Sequence, residues 1–274
     1  MKIAICCIYY GYLTGSELYV FDLAHELNRR GHVVSVHSPN IRSLLATRTD
    51  KNIRVTKTLS CDEIGNPDII LAQHRSVAKI FMENVNAPVV YTSHSEIYPE
   101  ERPLVHPHIK RYIAVRQEIA NQMVSKIGIS ADLIEVIPNG IDIQRFKPSN
   151  EPKEYGFIPG FINDLRQPFV DRIIRENKDT PLLFMGDGNN PQPGENIRVH
   201  KSVLDIENYY ARAKWCAGLF KGRTQYESWA CQVPFKAYDW NGSPVEQIRP
   251  DNFEEIYALT SVVDKLENIY KQIA

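Results

Sequence analysis

Arg223 and Glu227 stand four residues apart in the stretch GRTQYESWACQVPFKAYDWNG, which runs from Gly222 to Gly242. Gly222 allows a tight bend, and Arg223 and Thr224 open a helix reaching to about Cys231, so guanidinium and carboxylate share one face. The first amides of a helix have no intrahelical partner and sit at the positive end of its dipole, which suits a phosphate. Arg223 adds a planar, permanently charged fork for phosphate oxygens. A carboxylate at Glu227 can accept hydrogen bonds from sugar hydroxyls, as acidic residues do with a ribose. An ordinary i,i+4 salt bridge on a surface helix has the same spacing, so the pair alone leaves both readings open.

Other residues with chemical use lie at the ends of apolar runs. Lys2–Tyr10 reads as a strand buried on both faces, followed by the loop Gly11-Tyr-Leu-Thr-Gly15-Ser-Glu17. Gly15 can bring its backbone amide close to a phosphate or a sugar, or serve as a plain turn glycine. The runs DIILAQH and VVYTSH end on His74 and His94. A histidine just beyond the C-terminal end of a parallel strand tends to face the ligand edge of the sheet, and His94 is the stronger candidate of the two. No Asp or Cys at ligand spacing accompanies them, so no metal site is read here. The loop after the first strand is not GxGxxG, and no acidic residue follows the second strand in the ribose position, which disfavours a dinucleotide oxidoreductase.

The elements that must position these residues alternate as β and α. An amphipathic helix with Leu18, Phe21, Leu23, Ala24 and Leu27 inward ends at Gly31. Strands follow at Val33–His37, Ile53–Thr56, Asp68–Ala72, Val89–Thr92 and Tyr112–Val115. The turn-dense segment IEVIPNGIDIQRFKP, Ile134–Pro148, reads as a domain junction. Alternation then restarts with Tyr155–Ile158, a helix from about Pro168 to Glu176, Leu182–Met185, Ile197–His200, a helix over Ile206–Ala213, and Trp215–Phe220. The spacing of Phe253, Ile256, Leu259, Val262, Val263, Leu266, Ile269 and Tyr270 predicts one closing helix over Phe253–Ile273. The expected fold class is therefore α/β, as two successive halves with parallel strands, 1–147 and 148–258, and a cleft between them.

A length of 274 residues suits two such domains. With 43% hydrophobic and 24% charged residues the composition is that of a globular protein, and no apolar run approaches a membrane span. The net charge of −1 implies no large nucleic-acid footprint. A local basic cluster, Arg42, Arg48, Lys51, Arg54 and Lys57, is a solvated loop or an attraction for an anionic acceptor. The five cysteines, Cys6, Cys7, Cys61, Cys216 and Cys231, have no metal-ligand spacing and read as reduced thiols of a cytosolic protein. A peripheral contact with the inner membrane face is compatible with that reading.

Four segments in this order resemble the family-4 (group 1) retaining glycosyltransferases. TGSELYVFDLAHELNRRGHVV is similar to their N-terminal signature, IPNGIDIQRFKP to their interdomain motif, and LLFMGDGN to their second-domain strand and loop. GRTQYESWACQVPFKAYDWNG looks like the donor segment of a subgroup carrying GR-x-x-x-E. The resemblance implies the GT-B architecture, two Rossmann-like α/β domains with parallel sheets facing across a cleft, with the acceptor on the first domain and a nucleotide-sugar donor mainly on the second. It also implies that the C-terminal helix, about 259–274, packs back on the first domain.

Residue by residue, the resemblance implies that Gly15 touches the donor diphosphate or sugar and that His94 lies near the transferred sugar. Arg166 follows the second-domain glycine, Gly160, as its basic residue. Ser202 and Val203 read the base, Gly222, Arg223 and Thr224 hold the diphosphate, and Glu227 binds the ribose. The chain departs from the pattern at Leu219, where the first of two glutamates usually stands, at Phe161, which replaces an arginine, at Ser228 and at Gln232. His94, Arg166 and Arg223 are the expected catalytic residues. The implied reaction moves a sugar from a UDP-, GDP- or ADP-sugar co-substrate to a hydroxyl acceptor, with no cofactor and no metal required. Two rival readings are a non-catalytic nucleotide-sugar binding subunit and a sugar-nucleotide epimerase using Glu96 and Asp187.

Overall fold

The computed structural model describes residues 1–82 and 86–273. The chain folds as two compact units, each with its own parallel sheet. Met1–Tyr12, Ser16–Gly140 and the chain from Leu259 on form the first, and Leu13–Gly15 with Ile141–Ala258 form the second. The division falls at Gly140/Ile141, earlier than the position 147 expected from the turn-dense junction.

The main sheet of the first unit has seven strands among the described residues: β1 (Lys2–Cys6), β2 (Val33–His37), β3 (Arg54–Thr56), β4 (Ile69–Gln73), β5 (Val89–Ser93), β6 (Ile109–Ala114) and β7 (Ile134–Val136). Their order is β3-β2-β1-β4-β5-β6-β7, with every pairing parallel. Ile69–Gln73 and Val89–Ser93 are buried throughout, as strands covered on both faces must be, and this explains their unbroken apolar runs. The order reverses between β1 and β4. At such a reversal the connections leave to opposite sides, opening a crevice at the C-terminal strand ends where open α/β sheets bind ligands.

The second unit repeats the plan with β8 (Tyr155–Pro159), β9 (Leu182–Met185), β10 (Ile197–His200), β11 (Ala213–Leu219), β12 (Phe235–Tyr238) and β13 (Pro244–Val245). The order is β10-β9-β8-β11-β12-β13; only β13 runs antiparallel, and the reversal lies between β8 and β11. The helix expected over Ile206–Ala213 is only Glu207–Tyr210, because Ala213 already belongs to β11 and pairs with Tyr155. Tertiary pairing with β8 wins over local helical spacing.

The single closing helix expected from Phe253 is broken. Phe253–Tyr257 and α4 (Leu259–Ile273) are separated by Ala258, which is extended at φ −60, ψ 135 and bridges to Ile141. The Ile141 N–H donates to the Tyr257 carbonyl at 2.8 Å, a bond a continuous helix would not leave open. Ala274, the last residue of the C-terminal helix implied at about 259–274, lies outside the described residues. α4 is tied to the first unit by charge. Arg30 Nη1 donates to Asp264 Oδ1 at 2.5 Å and Glu267 Oε2 at 2.9 Å, and His32 Nε2 meets Glu267 Oε1 at 2.7 Å. Gly140, in the IPNG segment, has no room for a side chain, since a Cβ there would lie 2.8 Å from Leu259 Cα.

Candidate active site

In the second unit the candidate residues gather at the reversal between β8 and β11. Gly160 leaves β8 at φ +115, a conformation that favours glycine, and a Cβ there would stand 3.2 Å from Arg166 Nη1. Arg166 ends the short turn Asp164–Arg166 and folds its guanidinium over Gly160. On the other side, β11 passes through Lys221, in the left-handed region at φ 53, to Gly222. Gly222 is extended at φ −93, ψ 163, and caps α3 (Arg223–Ala230). Its carbonyl accepts the Gln225 N–H at 3.0 Å, and the Gln225 Oε1 accepts the Lys221 N–H at 2.6 Å, fixing the approach to the helix. Thr224 Oγ1 packs over Gly218, 3.1 Å from where a Cβ would be. Gly160 and Arg166 on one strand end, and Gly222–Thr224 on the adjacent one, thus flank the crevice of the second sheet.

The Arg223–Glu227 pair is an i,i+4 salt bridge, but it is not on the surface. The two side chains are 5% and 3% exposed, and Arg223 Nε donates to Glu227 Oε1 at 2.6 Å. The other carboxylate oxygen, Oε2, accepts the Tyr210 hydroxyl at 2.8 Å. Burial, with the neighbouring carboxylate, pushes the Tyr210 phenol far above its ordinary range, so it remains a donor. Glu227 therefore has a structural hold on Arg223 in addition to any part in binding a ribose.

Ser202 and Val203 follow β10 and are half-buried, with Val203 packed against the cluster containing Tyr155, Phe157 and Tyr210. Leu219 ends β11 and carries no acceptor for a sugar hydroxyl, and Phe161 is 44% exposed. Gln232, where the family pattern has glycine, adopts φ 54 just past the end of α3. There the Val233 N–H closes back to the Ser228 carbonyl at 2.9 Å. The glycine-like turn is kept without the glycine. Ser228 in turn uses its hydroxyl to donate to the Val233 carbonyl at 2.8 Å, a bond the family's alanine could not make.

The first unit has a second cluster, at the C-terminal ends of β4 and β5. His94 Nε2 lies 2.8 Å from Gln73 Oε1, and the His94 backbone N–H donates to Glu101 Oε2 at 2.8 Å. Tyr19, on α1 (Gly15–Arg29), sets its ring edge against the imidazole at 4.9 Å between centroids. His74 is held at φ 78, unusual for a side chain of this kind. Its Nδ1 accepts the Ile8 N–H at 3.3 Å, which ties the end of β4 to the loop after β1, and its Nε2 is 3.7 Å from Glu101 Oε1. Burial holds His94 and His74 neutral, lowered to about 3 and about 4, and pushes Glu101 up to about 7.

Gly15 is exposed and opens α1 itself, rather than sitting in a loop ahead of it, and it groups with the second unit. Glu96, the acid the epimerase reading needs, is engaged by Arg116, and Asp187 is exposed. Four residues of the two clusters stand outside the expected set: Gln73, Glu101, Tyr210 and Asn139, whose side chain bonds to His94. Gln73 directly precedes His74, and Asn139 lies inside the IPNG segment, so position gave a hint for these two. Nothing local marks Glu101 or Tyr210, whose partners are distant in sequence. Among the described residues no group of three or more His, Cys, Asp or Glu side chains could hold a metal ion.

The family model described as Glycosyltransferase Family 4 matches residues 13–145. No curated protein matches the chain. Among solved structures the fold is similar to Anabaena HepE in complex with UDP-glucose, at a TM-score of 0.79 and 15% identity over 99% of this chain and 100% of that one. It is also similar to a glycosyltransferase from Rickettsia africae, at 0.72 and 16% over 99% and 98%. AviGT4, a glycosyltransferase involved in avilamycin A biosynthesis, matches at 0.67 and 11% over 100% and 98%. At such identities these likenesses speak for the fold, which is the GT-B fold of two Rossmann-like domains. Residues 13–145 thus match the family-4 glycosyltransferase model, on a chain that has the GT-B fold.

Proposed function

We propose that this chain transfers a sugar from a nucleoside-diphosphate donor to a hydroxyl acceptor, with retention of anomeric configuration. The observation that carries the proposal is the convergence of Gly160, Arg166 and the Gly222–Thr224 helix start on adjacent strand ends at the β8/β11 reversal. Breaking the glycosidic bond builds negative charge on the leaving diphosphate and positive charge on the sugar ring. Cations and helix amides fixed in advance on the diphosphate lower that barrier more than they stabilise the bound donor. Arg166, Arg223 and the amides of Gly222–Thr224 supply these groups, with Gly15 as a further backbone contact and Ser202 and Val203 beside the base.

His94 orients a hydroxyl of the transferred sugar or of the acceptor, and its neutral state suits a hydrogen-bonding role rather than a charged one. No pair of carboxylates is read as placed for a double displacement of the glycosidase kind. The retaining path is therefore attack from the face of the departing phosphate, which takes the acceptor proton. The donor base is taken as uracil first, because HepE is a neighbour seen with UDP-glucose. The acceptor is bound by the first unit, and the basic side chains between Arg42 and Lys57 favour an anionic one. No helix among the described residues is long and apolar enough to cross a membrane, and the membrane contact included in this reading is a peripheral one. All five cysteines are free, in keeping with a reducing, cytoplasmic setting.

A thermal-shift panel of UDP, GDP and ADP with their sugars tests the donor. A ligand at a hundred times its dissociation constant adds about 2.7 kcal/mol of stability. A flat panel would remove the basis for the reading. Arg166→Ala should lower turnover by roughly 10²–10³ while the protein stays folded. One feature favours a second reading, a nucleotide-sugar binding subunit without transfer: Leu219 replaces an expected sugar-binding carboxylate. Donor binding with neither transfer nor donor hydrolysis would select it.

A further inference from the structure

A cavity of about 720 Å³ opens at the N-terminal ends of β6 and β7, the edge of the first sheet opposite the one that carries His94. Its floor is apolar. Ile109, Tyr112 and Ile129 come up from the core of the unit, and Leu133 and Ile273 close the sides. Tyr112 offers only its ring, because its hydroxyl donates to the Leu104 carbonyl at 2.8 Å. The rim is cationic: Lys110, Arg111 and His106 line it, and among the described residues no acidic side chain does. Lys110 and Arg111 are neighbours on one strand, and regular alternation sends neighbours to opposite faces. Here the parallel pairing slips by one residue. Val89 stands opposite Ile109 and Val90 opposite Arg111, which leaves Lys110 as a bulge. Bulges are rare in parallel pairs, and they re-aim side chains. This one lets both cations line the same cavity. Lys110 Nζ donates to the Pro107 carbonyl at 2.9 Å, and Arg111 Nη1 to the Lys110 carbonyl at 2.8 Å. Each cation has further N–H groups for an outside acceptor. His106 Nδ1 accepts the His108 N–H at 3.2 Å, so in the neutral ring Nε2 carries the proton and is a third donor. Val105 stands on the same rim, an apolar side chain that is 65% exposed.

We propose that this cavity binds an acidic phospholipid of a membrane surface, with the phosphate at Lys110, Arg111 and His106 and the start of an acyl chain on the apolar floor. Charge complementarity sets the occupant: a rim of donors around a hydrocarbon floor matches an anion joined to an apolar chain. A peptide backbone brings as many donors as acceptors and is matched less well. The cavity is of the size that holds small ligands, roughly 300–1,000 Å³. Val105, left in water by the chain itself, is covered once the rim meets lipid. The site gives the peripheral membrane contact a place in the first unit, and it stands apart from the donor chemistry of the second.

Flotation of the whole chain with phosphatidylcholine vesicles, with and without phosphatidylglycerol, tests the site. The chain should float with the mixed vesicles and stay in solution with phosphatidylcholine alone. A cation near an anionic surface contributes about fivefold to binding, so Lys110→Gln with Arg111→Gln should weaken it roughly thirtyfold. Arg48→Gln with Lys51→Gln removes the same charge from the basic loop and should change binding by no more than about twofold. Octyl phosphate below its micelle concentration should raise the melting temperature of the unaltered chain, and that rise should vanish in the Lys110/Arg111 variant. Inorganic phosphate at the same concentration should not protect. Flotation without phosphatidylglycerol, flotation unmoved by the Lys110/Arg111 change in a protein of unchanged circular dichroism, or flotation lost with Arg48 and Lys51 overturns the site. Inorganic phosphate that protects as well as octyl phosphate overturns the acyl contact and the lipid with it. None of these results bears on the donor, which the nucleotide-sugar panel reads separately.

Discussion

Removing one member of the buried Arg223–Glu227–Tyr210 unit should cost stability as well as activity. Both charged side chains are almost fully enclosed, and the carboxylate is bonded at both oxygens. Arg223→Ala leaves Glu227 enclosed with only Tyr210, and Glu227→Ala leaves the guanidinium enclosed without its carboxylate. Breaking a buried ion pair by removing one partner costs about 3–5 kcal/mol. Replacing both by apolar residues of similar length, Arg223→Met with Glu227→Leu, removes both charges of the pair together. The double variant should recover most of the loss, giving a coupling energy of roughly 2 kcal/mol or more.

The assay is favourable because the three tryptophans, Trp215, Trp229 and Trp240, all lie in the second unit. Urea unfolding followed by tryptophan fluorescence therefore reports that unit, and Trp229 sits on the same helix as the pair. With a slope of about 2 kcal/mol per molar urea, each single variant should lower the midpoint by roughly 2 M. Single variants costing under about 1 kcal/mol, or a double variant equal to the sum of the singles, would refute the reasoning. The pair would then behave as the exposed salt bridge that its spacing alone allows.

Three further outcomes are expected. His37, His74 and His94 are buried and neutral, their folded values lowered to about 4, 4 and 3 against an ordinary 6.5. Their stabilising contribution is present above pH 6.5 and is lost as the pH falls, because the unfolded chain takes up protons that the folded unit refuses. Glu101, raised to about 7, acts in the opposite sense and contributes more as the pH falls from 7 toward 4.5. The first unit should therefore lose stability between pH 6.5 and 4, and His37→Gln should flatten that slope by up to roughly 3 kcal/mol in hydrogen-exchange measurements on β1 and β4. An unchanged slope would place the acid sensitivity elsewhere. Gln232→Gly should stabilise the second unit by about 1 kcal/mol by relieving a left-handed residue, read as a higher urea midpoint. Gly186→Ala should destabilise that unit by about 2 kcal/mol or more, since the added Cβ would stand 1.9 Å from the Gly160 carbonyl oxygen. It should weaken UDP-glucose binding too, because Gly160 is the glycine beneath Arg166. A Gly186→Ala protein with unchanged midpoint and affinity would contradict both statements.

The sequence by itself determined the repeated α/β alternation, the two sheets and the strand ends that carry candidate groups. These are local properties: apolar runs of strand length, helix-period faces and glycine punctuation survive in one dimension. It also placed Gly160, Arg166, Gly222, Arg223 and Thr224 on what prove to be neighbouring strand ends. The break at Ala258 was hidden, because the helical spacing of Phe253–Tyr270 continues across a residue that a bridge to Ile141 holds extended. The Arg223–Glu227 pair shows the same limit. Spacing establishes that the two side chains meet, but spacing is blind to what covers them, and burial turns a weak surface contact into one that supports the unit. Only the tertiary structure decided this, by bringing Tyr210 to the carboxylate, just as it brought Gln73 and Asn139 to His94. Electrostatic and hydrogen-bond strengths depend on the surrounding medium and on partners far away in sequence, and neither exists before the chain has folded.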